Sequence, residues 1–190
     1  YCCGQLVRLA TNLDRIHGAG AELVAVSVDD DVRQAGMAQR WGLDAVRFVS
    51  DPGGEAILGP LDLFDPEDRG GIALPGMILV APDGTEAYRY IGRDYADRTN
   101  DREIWPALDG LHLGPVDPPT WVSDVEVHAD LDGFFRPVEF RTFFFGNQVG
   151  ANAVAQRLGP DTEAGQVALE HVGMSKDSLR AWKEWRARTR

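Results

Sequence analysis

Apolar residues at Leu6, Leu9, Ala10, Leu13 and Ile16 recur at helical spacing, which predicts a helix from Gln5 to Ile16 with one buried face. His17-Gly18-Ala19-Gly20 ends it, glycine being the usual stop. Glu22 to Val28 carries β-branched residues on both faces and predicts a buried strand. Asp29, Asp30 and Asp31 follow, where carboxylates can meet the unpaired N–H groups of a helix running to about Trp41 and stopping at Gly42. Arg47 to Val49 predicts a short strand, residues 50–54 a turn, and Glu55 to Leu58 a short helix. Residues 60–73 lack periodicity and read as a loop. Met77 to Ala81 and Glu86 to Ile91 predict a hairpin through Pro82-Asp83-Gly84-Thr85, and Asp101 to Leu108 predicts a helix closed by Gly110.

Alternating helices and strands imply an α/β class, and the late hairpin makes the expected sheet mixed, with helices covering its faces. The pattern changes after Gly114. Residues 115–133, opening on Pro115 and Pro118-Pro119, read as an extended connector, and residues 134–190 as a mainly helical extension. Val138 to Phe145 alternates at first and ends in three phenylalanines, suggesting a strand or packed edge. Helical stretches follow near 147–158, 162–172 and 175–188. In the last, Leu179, Trp182 and Trp185 fall on one stripe that must pack on its own domain or on a second subunit, giving a homo-oligomer.

The chain has 190 residues, 44% hydrophobic and 26% charged, enough to bury a core without disulfide staples. Its net charge of -11 opposes binding to phosphate backbones, so nucleic acid is not an expected partner. From Lys176 to Arg190, six basic and two acidic residues balance to +4, leaving -15 on the remainder of the -11 total. No apolar run approaches the roughly 20 residues that a membrane helix needs, so no membrane association is expected. Cys2 and Cys3 are the two cysteines, and neighbouring residues cannot form an ordinary disulfide. A chain without structural disulfides fits the cytoplasm. Tyr1 stands where Met is expected, so the natural chain is expected to begin earlier. His17, His112, His128 and His171 are scattered without metal-ligand spacing, and no cofactor motif is present.

The strongest chemical signal is Cys2, placed where a helix begins. Backbone N–H groups there favour thiolate over thiol, and the thiolate is the nucleophile of peroxide reduction and disulfide exchange. Tyr1-Cys2-Cys3-Gly4-Gln5-Leu6 resembles the right-hand part of the motif W-C-P-Y-C-x-x-Q-L of AhpC/TSA, or peroxiredoxin-like, redoxins. Val24 to Asp29 (VAVSVD) resembles that group's early strand and turn, and Trp41 to Pro52 resembles its segment ending in S-D-p. Ala73-Leu74-Pro75-Gly76 before Met77 to Val80 resembles the proline turn ahead of its late strand, and Asp83-Gly84 its hairpin.

The resemblance covers residues 1 to about 110. It implies a thioredoxin-like mixed sheet over residues 1–114, with the first strands preceding Tyr1, and makes Cys2 the second cysteine of a C-x-x-C pair. It further implies a cis Pro75 beside the cysteines, with the backbone of Leu74 exposed to pair with an extended substrate. Arg93 and Arg98 are candidates for stabilising the sulfur anion, or else solvated arginines paired with Asp94 and Asp97. Cys3 is either a small residue on the buried side of the helix or a backup resolving thiol. The function so implied is a thiol-dependent oxidoreductase, acting on a peroxide or protein disulfide with a thiol reductant and no cofactor. The alternative is a redoxin-fold binding or assembly module that has lost turnover and uses its aromatic C-terminal part for contacts.

Overall fold

A computed structural model describes residues 1–92, 95–98, 101–118 and 135–188. The chain divides into two compact units. One comprises residues 1–2 and 12–130, and the other residues 3–11 and 131–190. Most of the expected connector, residues 119–133, lies outside the described residues, as does His128.

In the first unit, helix α2 (Leu13–Gly18) precedes strand β1 (Val24–Ser27), helix α3 (Asp31–Trp41) and strand β2 (Arg47–Ser50). β1 and β2 pair in parallel, Val24 opposite Arg47 and Ser27 opposite Ser50, so β1, α3 and β2 make one strand–helix–strand crossover. The aspartate run does cap α3: the Asp30 side chain accepts from the Arg33 N–H at 2.8 Å, and the helix closes at Gly42. Buried Gln34 ties the helix to both strands, donating to the Ser27 hydroxyl and to the Val49 carbonyl at 3.0 and 2.9 Å. Strands β3 (Phe64–Asp65) and β4 (Ile72–Ala73) form a short antiparallel pair inside the stretch expected to be loop. Strands β5 (Gly76–Val80) and β6 (Glu86–Ile91) form the expected hairpin, followed by a single 3-10 turn and helix α4 (Ile104–Asp109). Leu13, Ile16, Trp41, Leu43, Val46, Leu58, Leu63, Leu79, Ile104 and Leu108 are buried in this unit.

The class is therefore mixed α/β, but among the described residues the strands hydrogen-bond in three separate pairs rather than in one mixed sheet. One consequence is visible in β1, expected to be buried on both faces. Val24 is exposed and the other three residues are half-buried, because among the described residues β1 has one bonded neighbour. Residues 55–58, expected to be helical, are turns built on the Asp51 carboxylate. It accepts from the N–H groups of Ala56, Ile57 and Leu58 at 3.2, 2.9 and 2.8 Å. One side chain takes the donors that successive helical carbonyls would take.

The second unit is helical. Helix α1 (Cys2–Thr11) contributes residues 3–11, and helices α5 (Phe140–Leu158) and α6 (Glu163–Arg188) supply the rest. The opening helix thus ends at Thr11 rather than Ile16, α2 taking up the remainder. The phenylalanine run expected as a strand or packed edge lies in the first turns of α5, and α6 is continuous where two helices were expected. Phe140 and Phe144 are fully buried, with ring centroids 4.6 Å apart, and the Trp182 ring lies 5.1 Å from Phe140. The aromatic stripe therefore packs within its own unit. Arg8 is buried in the same unit and donates to the Ser178 hydroxyl at 2.8 Å.

Candidate active site

Cys2 is the first residue of α1 and its thiol is exposed. A helix start leaves N–H groups without intrahelical partners, so a group there meets a partial positive charge. Cys3, one residue on, is partly exposed, and neither cysteine is in a disulfide. The expectation of a buried Cys3 is thus met only halfway. No acidic residue occupies the first turn of α1, so no fixed negative charge on that turn opposes an anion at Cys2.

Of the two candidate arginines, Arg98 reaches the sulfur: its Nη2 donates to Cys2 Sγ at 3.0 Å. Arg93 lies outside the described residues, as does Asp94. The Arg98 Nε donates to the Tyr95 carbonyl at 3.1 Å, so its guanidinium is held at two points and turned toward the thiol. The Asp97 carboxylate accepts from the Tyr90 hydroxyl at 2.5 Å. The Tyr95 ring meets the Tyr1 ring edge-on, with centroids 5.6 Å apart, beside the residue that carries the thiol. Tyr1, Tyr90 and Tyr95 carry no chemical motif. The pattern Tyr-Ala-Asp-Arg at 95–98 held the only sequence signal, and it was visible only through the arginine.

Two expectations about the proline turn are corrected. The Leu74–Pro75 peptide is trans, there being no cis bond among the described residues. The trans form is the ordinary state of an X–Pro bond, and here nothing in the short β3–β4 pairing requires the other. The Leu74 N–H, expected to be open to an extended substrate, donates to the Leu63 carbonyl at 2.8 Å. That donor is already used by the fold. Pro75 is buried, and its carbonyl accepts from the Gly92 N–H at 2.6 Å.

Two carboxylates of the first unit are held below their ordinary range by their donors. Asp51 is lowered chiefly by the Leu58 N–H, then by those of Ile57 and Ala56, against a partial opposing effect of burial. Asp83 in the hairpin turn is lowered by the Thr85 N–H and then its hydroxyl. Both belong to turns. Among the described residues no three His, Cys, Asp or Glu side chains gather as metal ligands would, and no helix is long and apolar enough to cross a membrane.

An exposed sulfur at a helix start with a guanidinium at hydrogen-bond distance can attack an electrophile and keep negative charge near a cation as it does so. No protein-family model matches this chain, and no curated protein or solved structure matches it.

Proposed function

We propose that the protein is a thiol-dependent oxidoreductase of peroxiredoxin-like, thioredoxin-fold kind, in which Cys2 is the nucleophile and Arg98 its cationic neighbour. The observation that carries this reading is the 3.0 Å contact from Arg98 to Cys2 Sγ at the first residue of α1. With a peroxide, the thiolate attacks one oxygen, an S–O bond forms as the O–O bond breaks, and the departing alkoxide or hydroxide takes a proton. Sulfur is oxidised to the sulfenic acid and the peroxide is reduced to alcohol or water. With a disulfide, the thiolate displaces one sulfur as thiolate and leaves a mixed disulfide. The sulfenic acid condenses with one thiol of the reductant, losing water and forming a mixed disulfide, and a second thiol attacks the reductant's sulfur and releases Cys2; the mixed disulfide of the exchange reaction needs only that last attack.

The test is turnover. Reduced protein is supplied with dithiothreitol and either hydrogen peroxide or glutathione disulfide, and substrate loss is followed. The reading expects turnover of one of them, reduced at least about a hundredfold in Cys2→Ser and retained in Cys3→Ser if Cys3 is not the resolving thiol. Wild-type protein inert to both substrates, or an active Cys2→Ser, would overturn it.

The second reading, an assembly module, draws on fewer aromatic residues than expected, since Phe144 and Trp185 are buried and Phe143 and Trp182 partly so. It keeps one observation, the exposed Phe145, Val149 and Val154 on α5. A sedimentation mass equal to one chain, together with peroxide activity, would remove it.

A further inference from the structure

We propose that the Tyr90–Asp97 hydrogen bond is a clamp that positions Arg98 against the Cys2 sulfur, which makes Tyr90 and Asp97 positioning residues for the chemistry at Cys2. The inference rests on the Cys2 reading above and adds how its cation is held in place.

Arg98 is half-buried, and a guanidinium near a surface gains little from a partner, because ordering a long side chain offsets most of the attraction. Something must restrict it for the contact to be maintained. Tyr90 lies in β6 opposite Met77 of β5, so its backbone is fixed by the hairpin ladder. Its hydroxyl donates to Asp97 Oδ1 at 2.5 Å, the short length of a bond to a carboxylate. Two residues along from Tyr90, Gly92 donates its N–H to Pro75 O at 2.6 Å. A Cβ on Gly92 would stand 2.2 Å from the Asp97 carbonyl oxygen and 3.3 Å from the Pro75 Cβ. The Asp97 backbone therefore rests directly on the chain just past β6, at a separation that only glycine permits.

Asp97 is thus held twice, by its carboxylate on Tyr90 and by its backbone over Gly92. Arg98 is the next residue. Its Nε bond to the Tyr95 carbonyl then sets the plane of the guanidinium, and Nη2 meets Cys2 Sγ. The Tyr1–Tyr95 ring contact ties the same short segment to the residue preceding the thiol. Every fixed point lies within three residues of Arg98: Tyr90 and Gly92, at the end of β6, hold Asp97, and Tyr1 meets Tyr95.

The test uses the full chain carrying Cys3→Ser and compares alkylation of Cys2 by iodoacetate and by iodoacetamide. Each reagent forms an S–C bond as iodide leaves, and each needs the same thiolate, so the ratio of the two rates isolates the charge beside the sulfur. Arg98→Ala is expected to lower the ratio about two- to fivefold, the size of an exposed ion pair, and Arg98→Lys to retain part of it. Tyr90→Phe, which removes the donor of the clamp, and Asp97→Ala, which removes the acceptor, are each expected to lower the ratio, Asp97→Ala by less because it also removes a negative charge. Tyr90→Phe added to Arg98→Ala is expected to lower it no further, because the two act through one contact. An unchanged ratio in both clamp variants, with Arg98→Ala still effective, overturns the clamp and leaves the Cys2–Arg98 reading standing. A ratio that Arg98→Ala does not move overturns both.

Discussion

Ninety-six positions separate Arg98 from Cys2, and the side chains nevertheless meet at 3.0 Å. Cys2 was legible in the sequence because helix periodicity begins directly after it and thiol chemistry is tied to helix starts. Arg98 was legible only as one of two loop cations, since no local pattern says which of them folds back. Asp97 was legible only as a possible arginine partner, and its bond to Tyr90 was not, because that bond joins a strand to a loop. Pro75 was read through a resemblance and its peptide proved trans. At this scale, limiting iodoacetamide should modify Cys2 several times faster than Cys3, measured by peptide mass spectrometry, because Cys2 is exposed and carries the arginine contact while Cys3 is partly covered. Asp51 gives a pH-dependent prediction. Its folded-state carboxyl is lowered by the Leu58, Ile57 and Ala56 N–H groups, so its stabilising effect is present above the unfolded value of about 4 and is lost as pH falls through the lower folded value. Asp51→Asn should lower the thermal midpoint at pH 7, and its difference from wild type should shrink below about pH 4.

Helix α3 shows what a sequence can specify by itself: a capping aspartate, a periodic face and a terminal glycine place both ends. The hairpin strands β5 and β6 are of the same kind, since turn chemistry lies between two β-rich runs. Helix α5 is not. Phe143, Phe144 and Phe145 have high strand propensity, and only Phe144 among them is fully buried, on the face that also buries Phe140 and Ala155. Tertiary packing of that face overrides local preference. Its ring occupies the space above Gly4, where an added Cβ would stand 2.4 Å from the Phe144 Cζ. Phe144→Ala should cost about 3–5 kcal/mol in urea unfolding. Gly4→Ala should cost about 1–3 kcal/mol, and less in a Phe144→Leu background, where the obstructing ring tip is gone. Gly173 explains the misread break in α6: glycine weakens a helix interior, but here the helix runs through it. Nothing lies within 4 Å of a Cβ built on Gly173, so Gly173→Ala should stabilise the chain by about 0.5–1 kcal/mol.

For the whole chain, the α/β class could be read from alternating elements, whereas the number of strand pairs could not. The β1–β2 pair depends on contacts across the intervening helix α3, and the β3–β4 pair is two residues long, too short to leave a periodic signature. The division into units was likewise hidden, because residues 3–11 group with helices more than a hundred positions away. Charge acts at this scale too. With -11 overall, the chain should fail to retard duplex DNA in a gel at low salt, where any affinity for phosphates is greatest.

The central claim concerns a single atom, and one measurement addresses it most directly. The reduced protein is exposed to one equivalent of hydrogen peroxide in the presence of dimedone, and the adduct is located by fragmentation mass spectrometry. A dimedone adduct is expected at Cys2, weakened when Arg98 is replaced by alanine. Peroxide left unconsumed with Cys2 unmodified, or an adduct confined to Cys3, would contradict it.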